Sequence, residues 1–326
     1  MLEIKKQKWI SFSIYYDEQN SLLINALPLI LSNRKEIIKY MFSRSNERGS
    51  NLILMFEVKN SIDIDVFTKE IKTVIVGFIK QNPSPDRAVE LPVNDWFLPF
   101  SANHIEIKKD FVFDIMETGG LSSSLLAKNL LSHSSKHAFQ FIQEANGEWG
   151  QDSAMGIALQ FHLALVSAFK LTRDESGFFY DYFFASMLSK THAADTDFQQ
   201  NLLNGLSENY EGQKESMVGF GEYVLTLLHD VQNIEEEWLK EWFLSCGAIA
   251  EEMESLQKNG GYVVPENFEI NNNIDVDVLI QKKWPVLEYY LRSINTQLGV
   301  NDVYELNLIY SLKETFKELV LAKTSN

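Results

Sequence analysis

The fold is decided by one stretch of sequence, KYMFSRSNERGSNLILMFEV, which runs from Lys39 to Val58. Its two ends, Lys39–Arg44 and Asn51–Val58, are rich in the aromatic and aliphatic residues that favour β-strands. The polar segment between them contains Gly49, and a glycine in a short polar segment between two such runs is typical of a hairpin turn. The stretch therefore predicts a β-hairpin that has Arg44 at the end of its first strand.

More strands and two helices are predicted around this hairpin. The segment WISFSIYY, from Trp9 to Tyr16, has strand composition, and two further strands are predicted in Val89–Phe100 and His104–Ile115. Apolar residues recur at helical spacing in Asp63–Lys80, and Ser21–Leu31 is a leucine-rich stretch that suits one helix. The N-terminal third is thus expected to form a mainly antiparallel sheet with flanking helices.

The predicted secondary structure changes from mainly strand to helix after the Gly119-Gly120 pair. The next segment, LSSSLLAKNLLSHSSKHAFQFIQEA, opens with serines that can cap a helix and continues at helical spacing. Further helices are predicted at Asp152–Leu171, Phe178–Ser189, Glu215–Val231, Ile234–Leu256, Asp275–Gln297 and Val303–Ala322. Strands first and helices afterwards indicate an α+β fold with a largely helical C-terminal half. We expect a sheet-containing subdomain at 1–118 and a helical subdomain at 119–326, integrated into one domain.

The charge balance argues against a nucleic-acid partner. The chain has 29 Lys and Arg against 45 Asp and Glu, a formal net charge of −16. Most of the acidic excess lies in residues 121–326, and an acidic surface repels the phosphate backbone. Only a local basic patch could override this total, and its members would be Arg34, Lys35, Lys39, Arg44 and Arg48.

Neither a metal site nor a cofactor is expected. Cys246 is the only cysteine and stands in an apolar stretch, so we expect it to be a small buried hydrophobic residue. His133 and His137 are four residues apart, but no glutamate stands between them as in a zinc-protease motif, so a structural or surface pair is favoured. The N-terminus lacks a signal peptide and the chain lacks a long apolar run, which together predict a cytoplasmic protein.

The order of these signals resembles the C-terminal domain of lantibiotic dehydratases, a family that includes stand-alone thiopeptide-type bacteriocin biosynthesis proteins. The similarity runs through WISFSIYY, SLLINALPLILSN, MFSRSNERGSNLILMF, FDIMETGG, LLAKNLLSHSSKHAF and YYLRSINTQLGVNDVYELNLIYSL. Each motif is weak alone, and their order over nearly the whole chain carries the resemblance. The matched residues are Arg44, Gly49, Asp114, Gly119, Gly120, Ser135, Asn295, Gly299 and Glu305.

The resemblance implies peptide modification in ribosomal bacteriocin biosynthesis. In full dehydratases, a separate region glutamylates Ser or Thr of a precursor peptide, and the C-terminal domain then eliminates glutamate to leave a dehydroamino acid. Related stand-alone domains form a pyridine ring in thiopeptides. The implied partners are a ribosomally synthesised precursor peptide and a separate glutamylation protein, with no nucleic acid bound directly and no membrane.

The sequence departs from the family at the positions that would carry cations. A His-x-Arg-x-Arg strand is replaced by Asn51–Met55, NLILM, and Glu117 occupies the Arg position of the later turn. Leu291 stands at a histidine position and Thr296 at an arginine position. Elimination needs a base for the α-proton and cations for the enolate and the leaving carboxylate. Standard glutamate elimination is therefore expected to be largely lost.

Two functions remain open from the sequence. The first is a diverged elimination or cyclisation domain that acts on a precursor peptide. The second is a non-catalytic partner that holds a precursor peptide or another biosynthetic enzyme. For the first, the candidate catalytic residues are Arg44, Arg48 and Ser135, and the candidate substrate-binding residues are Asn51, Glu117 and Asn295.

Overall fold

A computed structural model describes residues 8–32, 34–85, 100–109, 111, 118–190, 196–265 and 268–324. The chain divides into two compact units. One consists of Met1–Phe113, Leu131–Gly150 and Thr296–Gly299, and we call it the sheet unit. The other consists of Asp114–Leu130, Gln151–Asn295 and Val300–Asn326, and we call it the helical unit.

The sheet unit contains a four-stranded antiparallel sheet. Its strands are β1 (Lys8–Ile14), β2 (Ile37–Ser45), β3 (Asn51–Val58) and β4 (Ile105–Lys108). They lie in the order β2-β3-β1-β4, with antiparallel pairing throughout. The predicted hairpin is confirmed, because Ser45 pairs with Asn51 and Arg44 pairs with Leu52 across β2 and β3. Arg44 therefore lies next to the hairpin turn on a strand at the sheet's edge.

Three helices of the sheet unit precede β4 in the chain. They are α1 (Gln19–Asn25), α2 (Leu27–Leu31) and α3 (Ile64–Gln81). The Asp63 carboxylate caps α3 by accepting from the main-chain N–H groups of Asp65 and Val66, as an N-cap side chain does. The Phe56 ring of β3 makes edge-to-face contacts with Phe12 of β1 at 6.0 Å and with Phe67 at 6.2 Å, and the second contact joins the sheet to α3.

The remaining helices confirm the predicted helical C-terminal half. They are α4 (Leu121–Glu144), α5 (Gln151–Ala168), α6 (Arg173–Lys190), α7 (Thr196–Leu227), α8 (Glu237–Lys258), α9 (Val278–Gln281), α10 (Trp284–Leu298) and α11 (Asp302–Thr324). Within the helical unit, α11 packs on α6 and α7, and α5 packs on α8. The Phe161 ring of α5 meets the Trp242 ring of α8 at 4.8 Å, and both side chains are fully buried.

Two predicted helices are each divided in two, and the physical cause is proline. Pro28 lies in the first turn of α2, and Pro285 lies in the first turn of α10. Proline has no main-chain N–H, so it cannot continue a helical hydrogen-bond ladder but fits at a helix start. The predicted Ser21–Leu31 helix accordingly ends as α1 at Asn25, and the predicted Asp275–Gln297 helix forms α9 and α10.

Other predicted boundaries are shifted. Helix α7 begins at Thr196, well before the predicted Glu215, and α6 begins at Arg173. The main-chain N–H of Glu175 bonds to the Thr172 hydroxyl while the Glu175 carboxylate accepts from the Thr172 N–H, a capping box that starts α6 early. The strand predicted in Val89–Phe100 lies almost wholly outside the described residues. The subdomain boundary at residue 118 stays a prediction.

Candidate functional site

The Arg44 guanidinium in the sheet unit is held by neutral oxygen atoms. Its Nη2 donates to the Asn20 side-chain oxygen at 2.7 Å. Longer bonds run from Nη1 to the Gln19 side-chain oxygen at 3.5 Å and from Nε to the Gln297 main-chain oxygen at 3.4 Å. No carboxylate in the described part of the chain forms an ion pair with Arg44.

Burial and the neutral surroundings define the electrostatics of Arg44. Burial lowers the pKa of its guanidinium to about 10, because the charged form is desolvated. The group is still protonated at neutral pH. An arginine carries five N–H donors, and three of them have partners among the described residues. The remaining two have no partner among the described residues.

Gly299 allows the close approach of the Arg44 guanidinium to the main chain. A Cβ atom at position 299 would lie 3.1 Å from both Cζ and Nε of Arg44. Gly299 also has φ at +82°, a left-handed conformation that glycine adopts without a Cβ penalty. Gln297 and Leu298 end α10, where carbonyl groups lack partners within the helix and attract cations. The Gln297 carbonyl bonds to Arg44, and the Leu298 carbonyl accepts from Trp149 Nε1 at 2.8 Å.

Ser135, a candidate catalytic residue, lies on α4 and is fully buried. Its hydroxyl oxygen accepts from the main-chain N–H of Phe42 at 3.1 Å. Phe42 is two residues before Arg44 on β2, so the structure brings Ser135 and Arg44 to the same strand. The contact links Ser135 to the backbone of β2, two residues from Arg44.

Arg48, another candidate catalytic residue, lies in the hairpin turn with φ at +58°, in the left-handed region. Its guanidinium stands over the Phe100 ring, 3.8 Å from the ring centre, which is cation–π geometry. The main chain of Arg48 contacts the same residue, because the Phe100 N–H donates to the Arg48 carbonyl at 2.9 Å. Phe100 also stacks on His104 at a ring-centre distance of 4.3 Å.

Two of the three candidate substrate-binding residues, Asn51 and Asn295, lie in the described part of the chain, and they belong to different units. Asn51 opens β3, is almost fully buried, and donates its side-chain amide to the carbonyls of Glu47 and Gly49 at 3.1 and 2.9 Å. Those two bonds close the hairpin turn. Glu117 and the family-matched Asp114 lie outside the described residues. Asn295 belongs to the helical unit.

Asn295 is the centre of a buried network of hydrogen-bonded side chains in the helical unit. Its side-chain oxygen faces His162 Nε2 at 3.0 Å, and its amide donates to Glu305 Oε1 at 3.0 Å. The oxygen can only accept, so His162 carries its proton on Nε2, and Nδ1 accepts from the Tyr180 hydroxyl at 3.2 Å. Arg292 Nε lies 3.7 Å from the other Glu305 oxygen.

Burial shifts the pKa values of His162 and Glu305, two titratable members of this network. It lowers the pKa of His162 to about 4, an effect that the bond donated to the Asn295 oxygen only partly offsets. Burial also raises the pKa of Glu305, and the Asn295 amide and the Arg292 charge partly oppose that rise. His162 is therefore neutral at neutral pH. Together with Tyr180, Asn295 and Glu305 it forms a hydrogen-bonded network in the core.

Replacing Asn295 by Ala is expected to lower the free energy of unfolding by about 2–4 kcal/mol. The change leaves the His162 ring N–H and a Glu305 oxygen buried without their partner, at about 1–3 kcal/mol each. Urea unfolding followed by circular dichroism measures the loss. Asn272→Ala, at an exposed loop position, is the control and should change stability by under about 0.5 kcal/mol. Equal stability of the two variants would contradict the network.

The family comparison agrees with the resemblance found in the sequence. The model of the family described as lantibiotic biosynthesis dehydratase C-term matches residues 9–316. The chain therefore belongs to this family. Its membership confirms the predicted role in ribosomal bacteriocin biosynthesis with a precursor peptide as partner. A comparison with curated proteins gives no match.

The solved structures that share the fold include the following three. The pyridine synthase TbtD from thiomuracin biosynthesis has a TM-score of 0.71 and 13% identity, covering 95% of this chain and 98% of that one. TsrL has a TM-score of 0.66 and 15% identity over 96% of this chain and 94% of its own. The tRNA-dependent lantibiotic dehydratase MibB from Microbispora sp. 107891 has a TM-score of 0.55 and 13% identity, covering 99% of this chain but 29% of MibB.

No helix in the described part of the chain is both long and apolar enough to span a bilayer.

Sequence reasoning did not single out the residues that hold Arg44. Gln19, Asn20 and Gln297 are neutral, and Gln297 is 253 positions away from Arg44. No local pattern marks such a contact. His162 was also missed, although a lone histidine among the apolar residues of FHLALV is a visible signal of a buried, hydrogen-bonded ring.

Proposed function

We propose that this protein modifies a ribosomally synthesised precursor peptide as a diverged elimination or cyclisation domain, with Arg44 binding and polarising an oxygen of that peptide. One observation carries the proposal. The Arg44 guanidinium is charged at neutral pH, is bonded to neutral oxygens, and keeps two N–H donors without a partner among the described residues. A desolvated cation of this kind strengthens its bond to a carbonyl or carboxylate oxygen.

The chemistry of the surroundings restricts the role of Arg44. Gln19, Asn20 and Gln297 are amides, which cannot remove a proton, so their part is to orient the guanidinium. Arg44 itself stays protonated and acts as an electrostatic group. A base for an α-proton would come from the substrate complex or from another part of the chain. The role that suits Arg44 is stabilisation of a developing oxyanion.

A second function, peptide binding without catalysis, is favoured by the residues that stand where the family has histidine or arginine. Asn51 uses its amide to close the hairpin turn, and Leu291 is fully buried in the helical unit. Both side chains serve packing or local structure. A protein that kept the fold and Arg44 while losing the other cations would retain a peptide-binding surface.

The test is incubation with precursor peptide from the same gene cluster, supplied in glutamylated and in dehydrated form. Mass spectrometry would show loss of glutamate for elimination, and fragmentation of the product would show the new intramolecular bonds of cyclisation, which by itself leaves the mass unchanged. Isothermal titration calorimetry would measure binding of the same peptides in parallel. Binding with unchanged mass and an unchanged fragmentation pattern would establish the second function, and absence of binding and of any chemical change would contradict the proposal.

A further inference from the structure

Two adjacent serines of α4 each form a hydrogen bond outside their own helix. Ser134 and Ser135 are both fully buried in the sheet unit. The Ser134 hydroxyl donates to the Gln297 side-chain oxygen at 2.6 Å, and the Ser135 hydroxyl accepts from the Phe42 main-chain N–H at 3.1 Å. Gln297 is one of the three acceptors of the Arg44 guanidinium, and β2 is the strand to which Arg44 belongs, so the serines contact both.

The Ser135 bond fixes the backbone of β2. This strand lies at the edge of the sheet, and an N–H group that points away from a sheet needs another partner. Ser135 supplies that partner for Phe42. Residues two apart in a strand point to the same side, so fixing the backbone at Phe42 also fixes the direction in which Arg44 leaves it.

The Ser134 bond fixes Gln297. The Gln297 side-chain amide is held at both of its atoms, since its oxygen accepts from Ser134 and its Nε2 donates to the Leu131 carbonyl at 3.2 Å. Its main-chain oxygen is the acceptor for Arg44 Nε. With the side chain locked, that oxygen has a defined position next to Gly299, where the guanidinium lies against the main chain.

We propose that Ser134 and Ser135 are positioning residues that hold the Arg44 guanidinium in the orientation required to bind the precursor peptide. This inference rests on the proposed function of Arg44. It assigns Ser135 a role through β2 instead of a catalytic role of its own. Ser134 has the same role through Gln297.

The chain offers a matched control in the same helix. Ser132 is also buried, and its hydroxyl has no hydrogen-bond partner in the described part of the chain. Ser132→Ala therefore removes a buried hydroxyl without removing a bond. A general effect of a serine-to-alanine change in α4 would appear in all three variants, whereas the proposed effect is limited to Ser134→Ala and Ser135→Ala.

The first measurement is an NMR spectrum of the arginine Nε–H groups in the full chain labelled with ¹⁵N-arginine. The chain has six arginines, and the signal that disappears in Arg44→Lys is that of Arg44. We expect this signal to shift and to exchange faster with solvent in Ser134→Ala and Ser135→Ala, and to stay unchanged in Ser132→Ala. An unchanged signal in both test variants would overturn the inference. Because the variants act on separate contacts, Ser134→Ala keeps the test decisive if Ser135→Ala does not fold.

The second measurement is peptide affinity in a double-mutant cycle. Each test variant should weaken binding of the dehydrated precursor peptide by about three- to tenfold, in line with loss of one hydrogen bond. In the Arg44→Ala background the same changes should have no further effect, because coupled residues are not additive. Fully additive effects would indicate a purely structural role and overturn the inference.

The two measurements also separate this inference from the proposed function. Arg44 signals that respond to the serine changes, together with unaltered peptide binding in Arg44→Ala, would mean that the positioning is correct and the function of Arg44 is wrong. Loss of peptide binding in Arg44→Ala, together with an Arg44 signal that is unchanged in both serine variants, would mean that Arg44 binds the peptide and that the serines do not position it.

Discussion

Replacing Arg44 by Ala should reduce the rate of peptide modification by about 100- to 1000-fold. Removal of one preorganised electrostatic contact to a developing oxyanion costs about 2.7–4 kcal/mol in transition-state energy. Arg44 is the family-matched cation of the sheet unit, and its guanidinium is oriented by the oxygens of Gln19, Asn20 and Gln297. The rate is measured by mass spectrometry of the precursor peptide over time, at saturating peptide.

Two further variants make this result specific. Arg44→Lys keeps the charge but loses the planar fork, so it should recover only part of the activity. Arg173→Ala is the matched control, because Arg173 forms a partly exposed ion pair with Glu222 in the helical unit at 2.8 Å. It should react at the rate of the unaltered protein. Full activity in Arg44→Ala, with the fold intact, would remove Arg44 from the reaction.

Acidification should destabilise the protein through His162. The pKa of His162 is about 4 in the folded chain and about 6.5 in an unfolded one. Between these values the unfolded state binds more protons, so the free energy of unfolding falls as the pH falls. The contribution is fully retained above pH 6.5, and a shift of this size corresponds to about 3 kcal/mol lost by pH 4.

The pH effect is measured as a difference between two proteins. Urea unfolding at pH 7.5 and at pH 4.5 should show a smaller loss of stability in His162→Gln than in the unaltered chain. The raised pKa of Glu305 has the opposite sign, because the folded state binds the extra proton and gains stability as the pH falls. The comparison with His162→Gln keeps that contribution common to both proteins. Identical pH dependence in the two would contradict a buried neutral His162.

Local patterns predicted most of the secondary structure, and the helix boundaries that were wrong also had local signals. The Lys39–Val58 hairpin follows from strand composition and a turn glycine, which act within one stretch of chain. The divided helices at Pro28 and Pro285 could have been predicted from the missing N–H of proline. The early start of α7 at Thr196 could also have been predicted, because Phe198, Leu202, Leu206 and Tyr210 recur at helical spacing, and Leu206 and Tyr210 are buried.

The sequence by itself determined the α+β class, the family and the presence of Arg44 next to a hairpin turn. These properties depend on composition, order and short-range spacing. Only the tertiary structure decided how Arg44 is held, because Gln297 and Ser135 reach its surroundings from distant parts of the chain. It also decided that Asn295 serves a buried network with His162 and Glu305 in the helical unit. A hydrogen bond depends on the position of two atoms in space, and that position is fixed only when the packed helices and strands bring the two residues together.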